Sequence, residues 1–211
     1  MRQDLTDITL VVDRSGSMSS CKQEAQMGIN AFINEQKKAE GEAVFSLLQF
    51  DTSHEYVFNA VPIDQVGEYK LEPRGMTALL DAVGKVINET GQRLEKTPET
   101  DRPALVIVAI ITDGEENASN EFSRHAIKEM VERQQNEYNW QFTFLGANID
   151  AFAEASSIGI DSNAIASYCV TQSINAYSGL ASNITKMRKA SFIGEVVSNY
   201  YTDEERKNMT N

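Results

Sequence analysis

Apolar residues along this chain follow two alternating rhythms. Short unbroken apolar runs predict strands buried on both faces, and apolar residues spaced three and four apart predict helices. The first run, ITLVVD (8–13), is a strand followed by Ala25, Ile29, Phe32 and Ile33 at helical spacing, with a stop at Gly41. AVFSLLQF (43–50) and EYVFNAV (55–61) are two strands separated only by the polar turn DTSH, which makes them a hairpin. A helix is predicted from Thr77 to about Leu94, carrying Leu79, Val83, Val86, Ile87 and Leu94 on one side. ALVIVAIITD (104–113) is the most apolar run and belongs near the centre of a sheet. Phe122, Ile127, Met130 and Val131 mark another helix, QFTFLGAN (141–148) and ASYCVT (166–171) two more strands, and Ile174, Tyr177, Ala181 and Ile184 a last helix.

This alternation predicts an α/β fold, Rossmann-like and doubly wound. The expected sheet is mostly parallel and six-stranded, with one antiparallel edge strand and helices on both faces. With no repeat or Pro/Gly-rich linker, residues 1–200 read as one domain and 201–211 as a charged C-terminal tail, either a short helix or frayed. In such sheets ligands bind beyond the C-terminal strand ends, where strand order reverses.

Composition narrows the possible partners. Nineteen Lys and Arg stand against 31 Asp and Glu, a net charge of −12 in 211 residues. That sign opposes binding to a nucleic-acid backbone. The two cysteines, Cys21 and Cys169, read as free thiols in a reducing compartment. The opening MRQDLTD lacks an apolar signal core, and no run approaches the roughly 18 residues that would span a bilayer. The expectation is a cytoplasmic protein without a membrane partner.

Chemistry concentrates in the loops after the apolar runs. DRSGSMSS (13–20) puts Asp13 at the head of hydroxyls on Ser15, Ser17 and Ser19, RGMTALLDA contains Thr77, and TDGEEN contains Asp113, Glu115 and Glu116. The hydroxyls could cap a helix, attack a substrate, hold a phosphate or hold a metal. Singly, each position also has an ordinary reading as a turn or N-cap residue.

Taken in order, D-x-S-x-S after the first strand, G-x-T before a helix and T-D-G after a central strand resemble the von Willebrand factor type A domain with its metal-ion-dependent adhesion site. The resemblance covers nearly the whole chain and is in the style of the cytoplasmic prokaryotic and phage members. It implies a metal site of Asp13, Ser15, Ser17, Thr77 and Asp113, with Ser15, Ser17 and often Thr77 coordinating directly and one or both aspartates acting through water. Such oxygen donors suit Mg²⁺, with Ca²⁺ or Mn²⁺ as alternatives. Neutral direct ligands leave the cation electrophilic, so the implied function is a metal-dependent protein–protein interaction in which a partner's Asp or Glu completes the shell. Glu115 and Glu116 are expected to form a solvated rim that selects partners.

Two other readings compete. A metal-dependent phosphoryl-transfer or hydrolytic enzyme would need features the chain lacks. Position 15 is Ser where a haloacid-dehalogenase-like site has a second acid, and neither a G-x-S-x-G elbow nor a phosphate-binding P-loop is present. The two histidines, His54 and His125, read as surface residues, and Trp140 as packing. The expectation is therefore not an enzyme. The remaining alternative is an assembly subunit with a purely structural metal.

Overall fold

A computed structural model describes residues 1–147, 150–169 and 173–210. Asn148 of the fifth predicted strand, and Val170 and Thr171 of the sixth, lie outside the described residues.

Six strands form one sheet: β1 (Arg2–Asp13), β2 (Glu42–Phe50), β3 (His54–Pro62), β4 (Pro103–Thr112), β5 (Gln141–Ala147) and β6 (Ile165–Tyr168). Their order is β3-β2-β1-β4-β5-β6, with only β3 antiparallel to its neighbour. The order reverses between β1 and β4, the two central strands. Register then decides what meets at the strand ends. Val12 lies opposite Ile111, so Asp13 and Thr112 emerge side by side, and Asp13 lies opposite Phe50, which brings Arg14 next to Asp51.

One face of the sheet packs against α1 (Lys22–Gln36) and α5 (Ser173–Phe192), through Ile8, Leu10 and Val12. The other packs against α2 (Leu79–Lys96), α3 (Arg124–Tyr138) and α4 (Ala151–Ser157), through Val11, Leu48 and Phe50. Helices α1 and α5 come close because Gly28 leaves room for the Tyr177 ring: a Cβ there would stand 2.2 Å from Tyr177 Cδ2. The same pair is tied by Arg188, a buried guanidinium with no carboxylate partner among the described residues. Its Nη1 donates to the Gln36 carbonyl at 2.7 Å, satisfying an acceptor that the end of α1 leaves open, and its Nη2 to the Gly41 carbonyl at 2.9 Å just before β2.

Several boundaries differ from the sequence reading. β1 begins at Arg2 rather than near Ile8, because Leu5 onward pairs with β2 despite the polar Thr6 and Asp7. The helix α4 was not expected, and α2 starts at Leu79, two residues after Thr77. The charged segment at the C-terminus is no loose tail over its described part. Tyr201 is buried and shares a hydrogen bond with Thr143, and α6 (Asp203–Thr210) plants Met209 against Gly179 of α5. Its charge faces outward while two apolar anchors face inward. Among the described residues no helix is long and apolar enough to cross a membrane.

Candidate metal centre

Three segments meet at the C-terminal edge of the sheet near the point where strand order reverses: one leaves β1 there, one comes back from the far end of the antiparallel β3 before entering α2, and one leaves β4. The first carries Asp13, Ser15 and Ser17, the second Thr77, and the third Thr112 and Asp113.

Their oxygens form one connected cluster. Asp13 Oδ1 accepts the Ser15 amide at 2.6 Å, and Asp13 Oδ2 accepts the Thr112 hydroxyl at 2.5 Å. Ser15 Oγ and Ser17 Oγ are 2.9 Å apart, and Ser17 Oγ donates to Asp113 Oδ1 at 2.6 Å. Thr77 joins them across Gly114. A Cβ built on Gly114 would lie 3.2 Å from Thr77 Oγ1, 3.7 Å from Ser17 Oγ and 3.9 Å from Asp13 Oδ2. Oxygens from all three segments therefore surround one point that glycine keeps open. Asp13, Ser15, Thr77 and Asp113 are buried, whereas Ser17 faces solvent.

The electrostatics of this cluster leave it short of positive charge. Burial, with the nearby Asp113 charge adding to it, pushes the Asp13 carboxyl up to about 6, against the opposing hydrogen bonds from Thr112 and Ser15. Burial also raises Asp113, with the Ser17 hydroxyl opposing. Among the described residues no Lys or Arg pairs with either acid. A divalent cation would supply the missing charge, and a donor set of two carboxylates and three hydroxyls suits a hard ion. No group of three or more His, Cys, Asp or Glu gathers as a metal site among the described residues, so a cation here depends on hydroxyl oxygens.

The supporting shell was mostly invisible in the sequence. Asp51 binds two loops at once: its Oδ2 accepts from Arg14 Nε and from Arg74 Nε, each at 2.8 Å. Arg14 is buried despite its charge, and its outer nitrogen also meets Glu55. Asp81, in the first turn of α2, accepts the amides of Asn120, Glu121 and Phe122 at 2.8 to 3.0 Å. Asn117 Oδ1 takes the Thr77 amide at 2.9 Å, and the Asn117 amide returns to the Thr77 carbonyl at 3.0 Å. An acid set among apolar helix positions was the available signal for Asp81; Arg14 and Asp51 offered none.

The two rim acids part company. Glu115 is exposed, but the Glu116 carboxylate turns inward and accepts from the amides of Leu80, Ala118 and Ser119 and the Ser119 hydroxyl, at 2.7 to 2.9 Å. It fastens the third loop to the start of α2, where a negative charge is favoured by the helix dipole. Other residues sit as the sequence suggested: Trp140 is buried packing, and His125 is exposed beside Glu129. Cys21 and Cys169 are both free. Burial pushes the Cys21 thiol up to about 11, so it stays protonated.

No family model and no curated protein matches this chain. Solved structures do. The von Willebrand factor domain of the type V pilus tip protein Mfa5 from Porphyromonas gingivalis aligns with a TM-score of 0.63 at 12% identity, covering 95% of this chain and 98% of that one. A structure of proximal thread matrix protein 1 from the mussel byssus, with a zinc-occupied MIDAS motif, gives 0.57 at 18%, covering 88% and 46%. Manganese-loaded TRAP protein from Plasmodium vivax gives 0.56 at 15%, covering 86% and 74%. The chain thus spans less than half of the mussel protein. What these alignments establish is the architecture: the chain has the von Willebrand factor type A fold.

Proposed function

We propose that this chain is a metal-dependent protein-interaction module. Asp13, Ser15, Ser17, Thr77 and Asp113 would hold one divalent cation, Mg²⁺ in the cell, and a carboxylate from a partner's Asp or Glu would complete its shell. The observation that carries this reading is the convergence of oxygens from three loops on one point, beside two carboxylates that have no cationic side-chain partner among the described residues. The cation supplies a Lewis-acidic centre. The chain's own groups orient it, with Thr112 and the Ser15 amide fixing Asp13, and Ser17 standing at the solvent side where a partner would arrive. The mussel and Plasmodium structures, described as metal-loaded on the same fold, support the reading by analogy.

The module is proposed to be a binder rather than an enzyme. Among the described residues neither histidine bonds a site serine, and the buried Cys21 thiol stays protonated. With a net charge of −12, nucleic acid is not its partner.

Calorimetry on chelator-treated protein tests the site directly. Mg²⁺ should titrate into the wild type, and the heat should disappear in Asp13→Ala and fall in Thr77→Ala while far-ultraviolet circular dichroism stays unchanged. If all three proteins titrate alike, the site is wrong.

A further inference from the structure

The rim of the metal centre is asymmetric in charge and polarity. On the side of Thr77 lie Arg74 and Met76, whose exposures are 61% for the Arg74 side chain and 53% for Met76. Beyond Asp113 lies the exposed acid Glu115. Two features make the first side unusual. An exposed guanidinium borders the opening in a chain of strongly acidic net charge, and a large apolar side chain is displayed where it serves no core.

The backbone that displays them is fixed at almost every residue. The Arg74 amide donates to the Arg14 carbonyl at 2.7 Å, Met76 to Thr52 Oγ1 at 3.0 Å, Thr77 to Asn117 Oδ1 at 2.9 Å and Ala78 to the Asp51 carbonyl at 2.9 Å. The Gly75 carbonyl accepts the Gly16 amide at 3.1 Å. Gly75 itself takes φ +68°, and a Cβ there would stand 2.9 Å from Thr52 Oγ1, so glycine is required. Arg74 is further held through Nε by Asp51. The backbone ordering that an interface ordinarily demands on binding is already in place.

We propose that Arg74 and Met76 form a specificity subsite. It reads a partner segment carrying a second acidic residue and an apolar side chain close to the acid that the cation accepts. Arg74 offers its exposed guanidinium as a planar fork for a carboxylate. Met76 offers an adaptable thioether surface for an aliphatic or aromatic side chain. Arg and Met are also the residue types enriched in interface cores. Spacing follows from chain geometry: Arg74 is three residues from Thr77, at most about 10 Å along the backbone, so the second acid falls within about three residues of the first. Glu115 on the far side disfavours an acid there, which gives the segment a direction.

This inference rests on the metal-dependent interaction reading, and one experiment separates the two. The probe is an array of synthetic twelve-residue peptides with a central Glu and every neighbouring position varied, exposed to labelled full chain in Mg²⁺ and again in chelator. The expected result is chelator-sensitive binding that favours a second Asp or Glu and an apolar residue within three positions, on one side only. Arg74→Gln should remove the preference for the second acid and Met76→Ser that for the apolar residue, each weakening the best peptides about tenfold. Calorimetric Mg²⁺ affinity should be unchanged in Met76→Ser; Arg74→Gln gives up one arm of the Asp51 tie, so its peptide preferences are compared with wild type at saturating Mg²⁺. Chelator-sensitive binding without neighbour preference, or with preferences that survive both substitutions, overturns the subsite and leaves the interaction reading intact. Binding that ignores chelator, or no binding to any peptide, overturns both.

Discussion

Replacing Asp51 with Asn tests whether one buried carboxylate ties two ligand loops together. Its Oδ2 holds Arg14 and Arg74, and its Oδ1 accepts the Ser53 amide at 2.7 Å and hydroxyl at 3.0 Å. Burial pushes this carboxyl up, but hydrogen bonds from Arg74 and Ser53 and the charge of Arg14 outweigh it and hold the group at about 2. Measured from the ordinary value of 3.8, that lowering corresponds to roughly 2 kcal/mol at neutral pH. Removing one partner of a fully buried ion pair costs about 3–5 kcal/mol, a ceiling here because Arg14 keeps Glu55 and Arg74 is exposed. Asp51→Asn should therefore be less stable by about 2–4 kcal/mol at pH 7. Because the folded pKa is depressed, the contribution is complete above the unfolded value and disappears as pH falls through the folded one. Urea denaturation, followed by the fluorescence of the single tryptophan Trp140, should show a constant deficit from pH 7 to 5 that shrinks below about pH 4. A deficit under about 1 kcal/mol, or one that does not change on acidification, would refute the staple. Calorimetry should also find weaker Mg²⁺ binding, since the loops bearing Ser15 and Thr77 both hang from this residue.

Gly28→Ala would push a methyl into the Tyr177 ring and force α1 from α5, so its thermal unfolding should report a loss of about 1–3 kcal/mol. Asp81→Ala would leave three amides of the third loop without their carboxylate, at about 2–3 kcal/mol in urea. It should also weaken Mg²⁺ binding measured by calorimetry, because the same loop carries Asp113; unchanged affinity would show that the loop needs no such anchor.

Most of the sheet was legible because its inner strands are buried on both faces, and continuous apolar runs such as VIVAII have few other ways to be satisfied. The positions of Asp13, Thr77 and Asp113 were legible for a related reason: each sits just beyond or before an element whose end the apolar pattern marks. What stayed hidden was buried charge. Asp51 and Arg14 look like solvated turn residues until the β1–β2 register places them side by side, and Glu116 looks like a rim acid until α2 offers it an amide. The inward side of the C-terminal segment escaped notice because Tyr201 and Met209 are too few to outweigh DEERKN in any local pattern. For Asp51, Arg14, Tyr201 and Met209, and for the Leu80 bond of Glu116, the partner lies far along the chain, where periodicity carries no information.

The hydrogen bonds that close the metal centre, Ser17 to Asp113 and Asp13 to Thr112, bridge sequence separations of 96 and 99 residues. No fragment containing only the first loop can therefore assemble the centre, and the unfolded chain has no equivalent of it. A ligand that binds only the folded chain stabilises it by mass action, by about 2.7 kcal/mol at a hundred times its dissociation constant. On the proposed reading, cation uptake would have to follow the pairing of the central strands, and a newly made chain would acquire the centre only once both halves of the sheet are in place. Melting temperature should accordingly climb with the logarithm of free Mg²⁺, which makes the cation a ligand of the folded state as much as of the loops that hold it.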